Sequence, residues 1–181
     1  MTVIEEFSRY DRIIVSGCQR SGTTAFSKML ATDLNYQLID ESDFGFHDAS
    51  RFLQQLGLEK IVIQCPALSH LLHLIEAPKA VAVWMKRPFQ DIRKSMERLG
   101  WWVAAEEPRE KTKYANTFAG LYAYDASLPI ERIKQELWDN YQKPRMKIAA
   151  TELEYDCPYM RNHQMYVNAE KRSCFTAKQT E

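Results

Sequence analysis

Short β-branched and apolar runs alternate along the chain with longer stretches in which apolar residues recur every three or four positions. Arg12–Ser16 (RIIVS) reads as a buried strand ending at Gly17. The stretch Thr24–Leu34 then sets Phe26, Met29, Leu30 and Leu34 on one helical face. Tyr36–Ile39 and Lys60–Gln64 (KIVIQ) predict two further strands, the second followed by a Leu-rich helix over Ala67–Ile75. Ala80–Met85 (AVAVWM) predicts a fourth strand, leading into Lys86-Arg87-Pro88. The proline suits the first turn of a helix, whose apolar face is Phe89, Ile92, Met96 and Leu99. A helix over Ile130–Tyr141 and a fifth strand over Met146–Ala150 complete the pattern. Strands this short and apolar, alternating with helices, predict an α/β three-layer sandwich. Its parallel sheet of about five strands is covered on both faces, and such sheets bind ligands beyond the carboxyl ends of their strands.

Composition narrows the partners. The 181 residues, 45% of them hydrophobic, suffice for one buried core. Lys and Arg (24) balance Asp and Glu (24), so no overall field draws the chain to nucleic acid or an anionic membrane. The four cysteines, Cys18, Cys65, Cys157 and Cys174, lie far apart, without CxxC or zinc spacing. No apolar run approaches the roughly 20 residues that span a bilayer, and the acidic opening MTVIEEFSRYDR does not read as a signal peptide. The expectation is one domain over residues 1–181, cytoplasmic, with no nucleic-acid or membrane partner and no metal ligands.

The candidate chemistry falls at strand ends. Gly17-Cys18-Gln19-Arg20-Ser21-Gly22-Thr23-Thr24 joins the first strand to the first long helix with G-x4-G spacing. Glycines there allow a sharp turn that points successive N–H groups inward, toward an anion at a helix N-terminus. A nucleotide-hydrolysing P-loop requires lysine where Thr23 stands, and here the positive charge has moved back to Arg20. The segment Q-R-S-G-T-T after a strand resembles the 5′-phosphosulfate loop of the sulfotransferase family. Members use 3′-phosphoadenosine 5′-phosphosulfate (PAPS) as sulfuryl donor and release PAP. The resemblance implies a P-loop-type fold, with Gln19, Arg20, Ser21, Gly22, Thr23 and Thr24 at the donor and Arg20 as the catalytic loop cation, stabilising charge that develops between the sulfuryl group and the departing phosphate.

A second segment matches the family's 3′-phosphate motif, a strand ending in Arg with Asp four and Ser eight residues later. Arg87, Asp91 and Ser95 fall on that spacing, with Pro88 one residue early. Arg87 offers a planar fork of donors to a phosphate and Ser95 a hydroxyl. Asp91 shares a helix face with Ser95, which suits a local structural role. The resemblance covers residues 11–34 and 80–96 most closely and divides the chain into a PAPS-binding core of about residues 11–100, an acceptor or lid region of about 101–128, and a basic C-terminal segment of about 160–181. Where the small-molecule branch places an aromatic after the threonines, this chain has Ala25.

Sulfuryl transfer to a hydroxyl or amine rests on positioning and charge stabilisation and needs a general base but no metal. Glu41 follows the second strand, as does the catalytic glutamate of the heparan-type branch; His47 lies a few residues on, and His70 follows the third strand. Glu41 is the preferred base. The acceptor, a small molecule or carbohydrate, is not identified by the aromatic-rich stretch Trp101, Trp102, Tyr114, Phe118, Tyr122 and Tyr124. Two other functions compete. A P-loop NTP-binding protein or small-molecule kinase fits Leu38-Ile39-Asp40-Glu41 as a magnesium-binding strand end, and an inactive family member would bind PAP or PAPS without transfer.

Overall fold

The computed structural model describes residues 2–101, 111, 125 and 127–165. Its five strands form one parallel sheet in the order β2-β3-β1-β4-β5, namely β1 (Arg12–Gly17), β2 (Gln37–Ile39), β3 (Ile61–Gln64), β4 (Ala80–Lys86) and β5 (Ala149–Glu154). Alternation along the strands sorts side chains onto the two faces. Ile13, Val15, Val62, Val81, Val83 and Met85 pack under α1 (Val3–Phe7), α2 (Thr23–Leu34) and α6 (Pro158–Asn162), against Phe7, Phe26 and Met160. On the other face Ile14, Ile61, Ile63 and Trp84 meet Phe52 of α3 (Ala49–Gln55), Leu72, and Ile92 and Met96 of α4 (Phe89–Arg98). Trp138, just beyond α5 (Ile130–Leu137), stacks on Trp84 with ring centroids 4.6 Å apart. The sheet is therefore buried on both sides, the condition under which parallel strands read as unbroken apolar runs.

Several boundaries differ from expectation. The segment after β3 is a 3-10 helix, Pro66–Leu74, kinked at Leu68, rather than an α-helix. The expected helix over Ile130–Tyr141 is α-helical only to Leu137 and continues as a π-turn, Trp138–Gln142. The fifth strand begins at Ala149, not Met146. Lys143–Arg145 still forms a 3-10 turn, and Met146 and Ile148 pack onto the core from outside the sheet. As an edge strand, β5 carries half-exposed polar residues that an apolar-run criterion passes over. Its Glu152 is held by Trp138 Nε1 (2.9 Å), Lys143 Nζ (2.8 Å) and Lys86 Nζ (2.6 Å). Among the described residues no helix is long and apolar enough to cross a membrane. Trp102, Tyr114, Phe118, Tyr122 and Tyr124, Cys174 and the basic tail from residue 166 onward lie outside the described residues.

Candidate functional site

At the carboxyl edge of the sheet, β1 runs into the loop Gly17–Gly22 and α2 starts at Thr23. Gly22 is the N-cap residue, at φ +96°, and has no side chain to cap the helix, so the first-turn N–H groups face outward. The first turn of α2 carries no acidic residue. Both features suit an external anion. The loop's own geometry is set by Ser21, whose buried hydroxyl donates to the Cys18 carbonyl at 2.6 Å. Arg20 sits at φ +66°, a left-handed conformation that a non-glycine residue keeps only where its surroundings enforce it.

Those surroundings come from three elements. Arg87, at the β4 end, donates from Nη1 to the Arg20 carbonyl at 2.9 Å. Arg20 Nε donates to Ser95 Oγ of α4 at 3.0 Å, and its guanidinium lies 5.6 Å from the Trp101 ring. On the opposite flank the Gln19 N–H donates to Glu131 Oε2 of α5 at 3.0 Å. The two sequence motifs therefore form one cluster. Ser95, though a turn and a half along α4, is buried beneath Arg20, not reached by Arg87. Arg87 leans instead over Tyr155, with its Cζ 4.3 Å from the ring centroid. Asp91 lies in the first turn of α4, where a carboxylate complements the helix dipole.

Tyr155 gave no local signal in the sequence. It follows β5, its N–H donates to the Lys86 carbonyl (2.8 Å), and its ring covers Gly22 so closely that a Cβ there would run into it. A cavity of about 170 Å³ is bounded by Arg20, Gly22, Thr24, Arg87 and Tyr155. A second, of about 420 Å³, shares Arg87 and extends between Phe89, Glu131 and Arg132. The first has room for a phosphate-sized group, and the second is in the range of small-ligand pockets.

The other side of the loop carries the base candidates. Thr23 is buried and its hydroxyl accepts from Gln64 Nε2 at 3.2 Å; Gln64 Oε1 in turn lies 3.5 Å from the Glu41 backbone nitrogen. Glu41 is buried, with Oε2 accepting the Ala67 N–H at 3.0 Å. Burial pushes its carboxyl up to about 6, against the lowering effect of the Ala67 hydrogen bond, with Asp40 raising and Lys134 lowering it further. This is the range in which a carboxylate serves as a base near neutral pH. His47 stands on the exposed part of the β2–α3 connection, and His70 on the 3-10 segment after β3. Glu41 is tied through Gln64 to Thr23 at the end of the loop.

No protein-family model and no curated relative matches the chain. Among solved structures, it is similar to the YorR protein of Bacillus subtilis in complex with phosphorylated GDP, at 14% identity over 89% of this chain and 98% of that one, with a TM-score of 0.50. It also aligns with shikimate kinase from Acinetobacter baumannii in complex with shikimate, at 11% identity over 94% and 98% of the two chains, TM-score 0.48. At these identities the likeness concerns the fold alone, a parallel α/β sheet covered by helices. The sulfotransferase assignment is not reached by either comparison.

Proposed function

We propose that the chain is a transferase that moves a sulfuryl group from PAPS to a hydroxyl or amine and releases PAP. One observation carries the reading. Arg20, Arg87 and Ser95, drawn from segments some 70 residues apart in sequence, converge on the anion loop through bonds of 2.9 and 3.0 Å. The residues fit such a donor: two guanidinium groups, uncapped helix N–H groups and a cradle too close for any side chain at Gly22. PAPS supplies a sulfuryl group on a phosphate leaving group. The N–H groups of Gly22–Thr24 would stabilise charge on that phosphate, and Arg87 with Ser95 would hold the 3′-phosphate once Arg20 yields the hydroxyl. Glu41 would take the acceptor's proton as the new O–S or N–S bond forms and the bond from sulfur to the phosphate oxygen breaks.

A second reading, a P-loop NTP-binding protein or small-molecule kinase, is favoured by the solved neighbours, one of which holds phosphorylated GDP. It must do without lysine at position 23, where the buried Thr23 bonds Gln64, and it leaves the Arg87–Ser95 cluster without a task. Thermal-shift titration with PAP, and with ATP with and without magnesium, separates the two. PAP at 100-fold its dissociation constant adds roughly 2.7 kcal/mol, a Tm rise on the order of 5–10 °C for a domain this size. A rise with ATP and magnesium alone sinks the sulfotransferase reading. Binding of PAP without sulfate transfer across an acceptor panel identifies an inactive member.

A further inference from the structure

We propose that Glu131 and Lys134 form a positioning pair that sets the geometry of the anion loop from α5. The role of the loop as donor site rests on the reading above; the role of the pair in ordering it does not. Both side chains are buried, at 1% and 6% exposure, and Lys134 Nζ lies 3.0 Å from Glu131 Oε1. The other carboxylate oxygen, Oε2, accepts the Gln19 N–H at 3.0 Å, and the Cys18 thiol donates to the Glu131 carbonyl at 3.2 Å. Glu131 thus divides its carboxylate between a buried cation and the backbone of the loop, one residue before the left-handed Arg20.

Stability alone gives a weak account of this arrangement. A buried ion pair gains little over a well-packed apolar pair of similar volume, because desolvating two charges offsets their attraction. What an apolar pair would lack is an acceptor for the Gln19 N–H. Arg87 and Ser95 hold Arg20 by its carbonyl and its side chain on one flank, and Glu131 holds the preceding peptide on the other. Lys134 holds Oε1 and so fixes the orientation of the carboxylate. With one flank released, the φ +66° turn at Arg20 relaxes and the N–H groups following it lose their common aim.

The test compares two neutral pairs in the full chain. E131Q/K134M keeps an acceptor near Oε2, whereas E131L/K134M fills the space without one. Amide hydrogen exchange of the ligand-free protein is read over Gln19–Thr24, with Phe26–Leu30 of α2 as an internal reference. The Gln/Met pair is expected to exchange like the parent. The Leu/Met pair is expected to exchange about tenfold faster or more in the loop, with α2 unchanged, and to bind PAP about tenfold more weakly or worse. The single variant E131A gives the same reading should the Leu/Met pair fail to fold. Parent-like loop exchange in the folded Leu/Met pair, or in E131A, overturns the proposal. If the parent itself does not bind PAP, the donor reading fails while the exchange comparison still decides the role of the pair.

Discussion

Glu41 is a carboxylate whose surroundings oppose its charge. Burial is the largest effect, and its pKa of about 6 stands above the ordinary value of 4.5. The folded state therefore holds this proton more tightly than the unfolded chain. Its contribution to stability is fully present below pH 4.5 and is lost as pH rises through about 6. The size is roughly 1 kcal/mol, allowing for the part of the side chain that solvent screens. Glu41→Gln should remove that slope, since its amide oxygen still accepts the Ala67 N–H, and urea midpoints at pH 4 and pH 8 read it directly. In the proposed reaction the ionised form is the base, so kcat should climb through pH 6 in the parent. The glutamine variant should lose about 100-fold or more in kcat with PAP affinity unchanged; a loss of PAP affinity instead would place Glu41 in donor binding. Position after a strand is enough to mark Glu41 in the sequence. The burial that raises its pKa is not, because it depends on where the folded chain sets Glu41, with Ala67 of the 3-10 segment after β3 against its carboxylate.

At the scale of elements, the turn from β1 into α2 is bound to the end of β5. Gly22 combines φ +96° with the Tyr155 ring lying where a Cβ would sit. Gly22→Ala should therefore cost about 1–2 kcal/mol for the left-handed conformation, plus whatever displaces the ring. The two costs separate in a double-mutant cycle with Tyr155→Ala, which makes the space and leaves the backbone strain. Chemical denaturation of the four proteins should show positive coupling; strict additivity would mean that Tyr155 moves freely away from Gly22. The glycine was legible from loop spacing, but its neighbour was not. Tyr155 reaches it only because β5 pairs with β4, more than 60 residues earlier in the chain. The same distinction holds for whole elements. Strands β1, β3 and β4 are legible because both of their faces are buried, whereas β5 is polar on an exposed edge. Helices α1, α3 and α6 are too short for a periodic signal. What they leave is start signals: in α1 the Thr2–Glu5 capping box, each partner bonding the other's backbone N–H, in α3 the Asp48 N-cap and in α6 Pro158 at the first position.

Across the whole molecule, the proposed reaction would give two jobs to two sides of one loop, as the strand order divides them. Glu41 and Gln64 stand at the ends of β2 and β3, Arg87 and Tyr155 at those of β4 and β5, and β1 feeds the Gly17–Gly22 loop between them. The sequence contains each strand end but not the order that ranks them, so Arg20 and Ser95 appear there as members of separate motifs. In the folded chain Arg87 joins three elements, bonding the loop carbonyl, emerging from β4 and lying over Tyr155 beyond β5. A donor held there should tighten the β4–β5 side and leave the β2 side open for the acceptor. Hydrogen exchange with saturating PAP should accordingly slow at Gln19–Thr24, over the first turns of α4 and around Tyr155, with Gln37–Asp48 unchanged. Arg87→Ala should weaken PAP by about 1.5–3 kcal/mol, the worth of hydrogen bonds to a charged group. Even at concentrations that restore occupancy, it should uncouple Tyr155 from the protected set, because the contact that carries ordering from the loop to β5 is gone. Protection spreading instead over Gln37–Asp48 would put the nucleotide on the Glu41 side and reverse the assignment of donor and acceptor.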